Sequence, residues 1–220
     1  MKEEKFTPNK VRGSVLKDIR VSVSNRSFMM ILCLTIITTC SVMTIEPILP
    51  LYIGKIDDTI QNTMFFTGVL FSLPGIANIL FGPFWGKLAD KIGFHRILFI
   101  GLLGGGIGSL SQMMFTDIWG FSIARLGYGI FFCAVFPALN GLMIRATPEG
   151  FRGRAFGLKE SANQLGYMIG PIIGGVFGGF FPMQSVFLIT GSLLLVAAGM
   201  CYACKEQEKS KEFPAKQKAI

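Results

Sequence analysis

The sequence predicts an all-α membrane protein with six transmembrane helices arranged as two inverted three-helix repeats. Composition, six long apolar runs, and a motif shared by the second and fifth runs carry that expectation. Hydrophobic residues make up 51% of the 220-residue chain and charged residues only 15%, against about 25% charge in a soluble domain. Mean hydropathy is +0.54. Crossing a hydrocarbon core of about 30 Å takes roughly 20 apolar residues. With no water to satisfy backbone groups, runs of that length read as helices.

The first span, residues 28–53, carries Glu46, Pro47 and Pro50, so its outer part is expected to be irregular. The second, 63–85, closes on Gly82-Pro83-Phe84-Trp85-Gly86. The third, 97–115, contains Leu103-Gly104-Gly105-Gly106-Ile107-Gly108. That run lacks the Lys-Ser/Thr of a phosphate loop and follows no strand, so it reads as helix packing. The fourth, 118–143, contains Arg125 and Pro137, and the fifth, 161–181, spaces Gly166, Gly170, Gly174 and Gly178 four residues apart. Glycines at that spacing let helices approach closely, either as static packing or as a seam along which a helix rocks. The sixth span is 183–203, and residues 1–27 and 204–220 read as a basic tail and a polar tail or linker.

Lysine and arginine fix the orientation. The N-terminal tail, the loop after span 2 (Lys87, Lys91, Arg96), the loop after span 4 (Arg145, Arg152, Arg154) and the C-terminal tail are basic. The opposite side offers Lys55 beside Asp57 and Asp58, and Asp117 alone between spans 3 and 4. Both termini are therefore expected in the cytoplasm, with the chain multi-pass in the cell membrane among lipid. The net charge of +8 follows from this topology and calls for no nucleic acid. The first apolar run is too long for the core of a removable signal peptide. Cys201 and Cys204 form a C-x-x-C with no second pair and no His nearby in sequence, and read as apolar or interfacial cysteines. No metal, cofactor or enzymatic constellation is expected.

The Gly-Pro-x-x-Gly of span 2 recurs in span 5 as Gly170-Pro171-Ile172-Ile173-Gly174, and Pro50 and Pro137 are separated by almost the same length of chain. Spans 2 and 5 run in opposite senses, so the copies are inverted. Paired inverted three-helix units are a transporter construction with binding near the midplane.

Three motifs now define a resemblance. Gly86, Leu88, Ala89, Asp90, Lys91 and Gly93 follow the span 2–3 loop signature G-x-L-A-D-R/K-x-G-R-K, with Phe94-His95 in place of the basic pair and Arg96 after it. Arg125 and Gly129 follow R-x-x-Q-G, with Tyr128 at the Gln position. Gly166, Gly170, Pro171, Gly174 and Gly175 fill every defined position of the antiporter signature G-x-x-x-G-P-x-x-G-G. The chain thus resembles the N-terminal six-helix half of a major facilitator superfamily transporter, most like the drug:proton antiporters. The resemblance implies solute movement by alternating access, coupled to protons and exporting drugs in this branch; uptake or export of a sugar or metabolite is the other transport reading. It also implies that Asp90, with Gly86, Lys91, Gly93 and Arg96, latches onto a second six-helix half. That half is a second copy or a separately encoded C-terminal half; the competing expectation is a truncated or partner subunit inactive alone.

Ionisable groups inside a span default to function. Glu46 and Arg125 lie equally deep, each roughly 10 Å from the outer ends of spans 1 and 4 at 1.5 Å per residue. An ion pair between them is geometrically possible, either permanent or broken in the transport cycle. Burial favours a neutral acid and a nearby guanidinium favours the carboxylate, so a changing separation would move a proton. Glu46 could instead meet a cationic substrate. Tyr128, Asn163 and Gln164 are expected on a small-molecule cavity wall, and His95 in a cytosol-exposed loop.

Overall fold

The computed structural model describes residues 26–56 and 63–217, and every regular element among them is helical. Span 1 is two helices, α1 (Arg26–Ile45) and α2 (Leu49–Ile56). Pro47 has no N–H to continue the ladder, so the chain turns at 46–48 and resumes with Tyr52 N–H donating to the Ile48 carbonyl at 2.9 Å. Pro50 falls in the first turn of α2, where a missing N–H costs nothing. Span 2 is α3 (Thr63–Ile92) and span 3 is α4 (Phe94–Ser111), finished by the 3₁₀ turn Gln112–Met114. Span 4 is α5 (Ile118–Phe132) and α6 (Val135–Ala146), span 5 is α7 (Arg152–Phe180), and span 6 is α8 (Ser185–Gln217).

Five of these spans are long and apolar enough to cross a membrane. The fifth span is long enough, but its glycines together with Asn163 and Gln164 make it less apolar. Two boundaries differ from the sequence reading. Helix α7 begins nine residues before 161, because residues 152–160 hold no breaker stronger than Gly153 and Gly157. Helix α8 runs on through the segment expected as a polar tail, whose Lys and Glu residues are good helix formers.

The packing has the expected inverted symmetry. The helix α1 lies against α7, and the corresponding pair, α5 and α3, is likewise in contact. The helices α4 and α8, which correspond to each other, pack together. Contacts of α1 with α8 are matched by those of α4 with α5 and α6. Spans 1 and 4 also meet, through α1 and α6. Both spans break one turn from their matching prolines: the ladder of span 4 is interrupted at Cys133–Ala134, just before Pro137.

Two apolar clusters hold the bundle. One, around Phe28, Leu34, Leu98, Leu102, Leu139 and Leu194, fills the end near the α3–α4 loop. The other, around Ile45, Leu49, Tyr52, Leu70, Phe121 and Phe187, fills the opposite end. Along span 4, Phe121 belongs to one cluster and Tyr128 to the other, and Arg125 lies between them.

Candidate functional site

Arg125 is only 5% exposed, and its charge is solvated by the protein. Its Nε donates to the Leu70 carbonyl at 2.9 Å and a terminal nitrogen donates to Gln112 Oε1 at 3.4 Å. The guanidinium carbon sits 5.9 Å from the Phe71 ring centroid. A buried cation requires such partners. Gln112, fully buried, is itself anchored by its amide donating to the Gly108 carbonyl at 3.2 Å.

Glu46 occupies the break between α1 and α2, half-buried. It lines the same cavity as Arg125, a space of about 210 Å³. No described carboxylate lies within salt-bridge distance of Arg125, whose fork is turned toward α3 and Gln112. The two charges act on each other across the cavity. The rest of the wall combines Phe71, Phe132 and Phe136 with Asn78 and Tyr128.

Of the three residues expected on this wall, Tyr128 is there. It is 3% exposed, stacked on Phe132 at 5.1 Å, and its hydroxyl has no partner among the described residues. Asn163 and Gln164 lie outside the cavity. Asn163 joins α7 to α1, its Oδ1 accepting from the Thr39 hydroxyl at 2.9 Å and its Nδ2 donating to Glu160 at 3.0 Å. Gln164 is exposed on the other side of α7. The sequence analysis singled out the amides of span 5 and passed over Gln112 and Asn78, although these too are amides within apolar runs.

The glycine motif of α7 faces α1. A methyl group at Gly166 would lie 2.7 Å from Thr39 Cβ, one at Gly170 2.8 Å from the Cys40 carbonyl, and one at Gly174 would overlap the Thr44 carbonyl. Gly175 faces open space, and Pro171 is exposed within an unbroken helix. The motif thus divides between a backbone-to-backbone seam and an outward face.

At the end of α3, Asp90, Lys91 and Arg96 are exposed and Gly86 is half-buried. Gly93 adopts a φ of 97°, a conformation that lets the chain reverse between α3 and α4 and that disfavours any side chain. Phe94 stands where the loop signature has a basic residue. Its ring lies against Gly141 and carries the Arg145 guanidinium 4.6 Å from its centroid, so a cation from α6 returns to this corner. His95 is half-buried at the start of α4, not fully exposed, and its backbone carbonyl accepts from the Cys201 thiol at 3.7 Å.

This six-helix architecture, with a charged cavity between spans 1, 2 and 4, defines a class of membrane transport proteins. The Major Facilitator Superfamily profile matches residues 31–219, and the chain belongs to that family. It is similar to "Multidrug resistance protein MdtG" of Dickeya zeae (strain Ech586), at 27% identity over 212 residues, covering 96% of this chain and 52% of that protein. The proteins of the same name from Salmonella schwarzengrund (strain CVM19633) and Salmonella heidelberg (strain SL476) are each 27% identical over 197 residues, covering 89% of this chain and 49% of theirs. The chain therefore spans about half the length of the curated relatives it matches.

Proposed function

We propose that this chain forms one wall of a proton-coupled exporter of small apolar or cationic solutes, working by alternating access in the cell membrane with both termini in the cytoplasm. The observation that carries this reading is the cavity in which Glu46 faces Arg125 without bonding to it. Arg125 is already fixed by Leu70, Gln112 and Phe71, whereas the Glu46 carboxylate has no described partner. Glu46 is thus free to take and release a proton or to meet a cation. It sits at a break in span 1, where a small rotation of α2 against α1 changes its distance from Arg125. The aromatic wall favours an apolar solute.

A second six-helix half completes the pathway. The faces of α3 and α7 away from the bundle are apolar and exposed, including Phe65, Ile79, Leu80 and Phe84 on one and Met168, Ile172 and Phe180 on the other. Asp90 sits at the end of one such face, free of described partners, as a latch to that second half requires. A subunit inactive without that half is the competing reading, favoured by the same exposed faces.

The test is reconstitution in vesicles with an imposed pH gradient and a fluorescent apolar cation. Gradient-driven dye movement should be abolished by Glu46→Gln and strongly reduced by Asp90→Asn. Undiminished coupling in Glu46→Gln removes Glu46 from the mechanism. An inert chain that gains activity only with a second half, with a matching mass in mild detergent, supports the subunit reading.

A further inference from the structure

We propose that the end of the bundle opposite the α3–α4 loop holds a pocket for a phosphate group, built by Lys55, Tyr52, Thr116 and Gln184. The inference stands independently of the transport reading, because it concerns a different cavity. That cavity, about 380 Å³, opens where the end of α2, the turn before α5 and the loop before α8 converge. Its remaining lining residues are Pro182 and Met183. A water occupies about 30 Å³ of liquid, so the space admits a group of many atoms.

The chemistry of the wall selects an anion. Lys55 brings a positive charge, Tyr52 and Thr116 bring hydroxyls, and Gln184 an amide. No carboxylate lines the space among the described residues; Asp57 and Asp58, which follow Lys55 in sequence, lie outside them. The neighbouring Asp117 is committed elsewhere, accepting from the Gly120 backbone N–H at 2.6 Å as the cap of α5. Tyr52 is held in place: its ring packs 5.4 Å from Phe121 and 5.1 Å from Phe187, so little ordering is needed for its hydroxyl to bind.

The surroundings suit a lipid headgroup as the source. Trp119 (74% exposed), Met114 and Phe181 stand out from the same end of the bundle. Aromatic side chains of this kind gather at the level of the headgroups. A phosphodiester entering from the bilayer surface would meet Lys55 and Tyr52 while its acyl chains lie along the apolar spans.

The full chain, purified in mild detergent, can be examined by native mass spectrometry with phosphatidylglycerol, phosphatidylcholine or inorganic phosphate. Both lipids carry the phosphodiester, but the choline ammonium of phosphatidylcholine brings a second positive charge toward Lys55, so phosphatidylglycerol should be retained over it by on the order of tenfold. Lys55→Gln should erase that preference and Lys55→Arg keep it, while Tyr52→Phe should weaken retention with an unchanged unfolding temperature. Competition by inorganic phosphate identifies a free anion as the occupant; retention of the lipid against it identifies the headgroup. Equal retention of both lipids, or an unaltered preference in Lys55→Gln, overturns the proposal.

Discussion

The seam between α1 and α7 and the seam between α3 and α5 are related by the inverted repeat, yet they serve opposite ends. In the first, Gly166, Gly170 and Gly174 bring α7 backbone against the Thr39–Thr44 stretch of α1, leaving no room even for a methyl group. In the second, only Gly129 approaches Pro74 in this way. Beyond that point the helices part around the cavity of Glu46, Arg125 and Tyr128. A pairing geometry fixed by the repeat thus leaves the contents of the seam to side-chain size. Glycine at every fourth position gives a bare interface; one glycine preceded by the large polar residues Arg125 and Tyr128 gives a site. The hydroxyls on α1 fit this division, since Thr35, Thr38, Ser41 and Thr44 each donate to a carbonyl of their own helix and offer nothing to a ligand.

The strongest way to break the comparison is to fill the tight seam. Gly174→Leu should abolish folded protein in fluorescence-detected size exclusion, because its side chain meets the Thr44 carbonyl, which cannot move aside. Overpacking costs about 1–3 kcal/mol where side chains can yield, and here the obstacle is backbone. Gly175→Ala, one residue away and facing open space, should leave the unfolding temperature within the error expected of a surface change, roughly 0.5 kcal/mol. Equal damage from both would mean that the seam is not where the glycines act.

The next largest effect is expected in the open seam. Arg125→Ala leaves the Gln112 amide oxygen without its donor and the Leu70 carbonyl without its Nε–H contact. Each orphaned polar group costs about 1–3 kcal/mol. Thermal unfolding should report that loss together with loss of any dye transport. Arg125→Lys should fail to restore it, since an ammonium lacks the fork that reaches both partners. The smallest effect belongs to the single polar link across the tight seam. Thr39→Val removes the 2.9 Å bond to Asn163, and interhelical bonds in membranes average about 0.6 kcal/mol. A fall of several kcal/mol in detergent unfolding would show that hydrogen bonding, rather than the glycine contact, holds α7 to α1.

Much of this architecture is legible in the residues. Six apolar runs give the spans, and Pro47 and Pro50 mark where span 1 breaks, whereas the break in span 4 before Pro137 came only with the structure. The two Gly-Pro-x-x-Gly segments give the repeat, and the depth of Glu46 and Arg125 gives the two charges of the site. Those features were readable because each depends on local chemistry: length of apolar chain, a missing N–H, a missing Cβ, or a charge where lipid surrounds it.

Which groups meet was decided elsewhere. Arg125 chose the Leu70 carbonyl and Gln112 over Glu46, and Asn163 turned to Thr39 rather than to a cavity. Phe94 accepted a guanidinium from Arg145, far along the chain. A long side chain at a given depth has several partners within reach, and only the rotation and separation of neighbouring helices selects one. By itself, the sequence determined the spans, the break in span 1 and the depth of the charges. Only the tertiary packing decided the pairing, because hydrogen bonds of about 3 Å discriminate between helix placements that apolar patterning leaves equivalent.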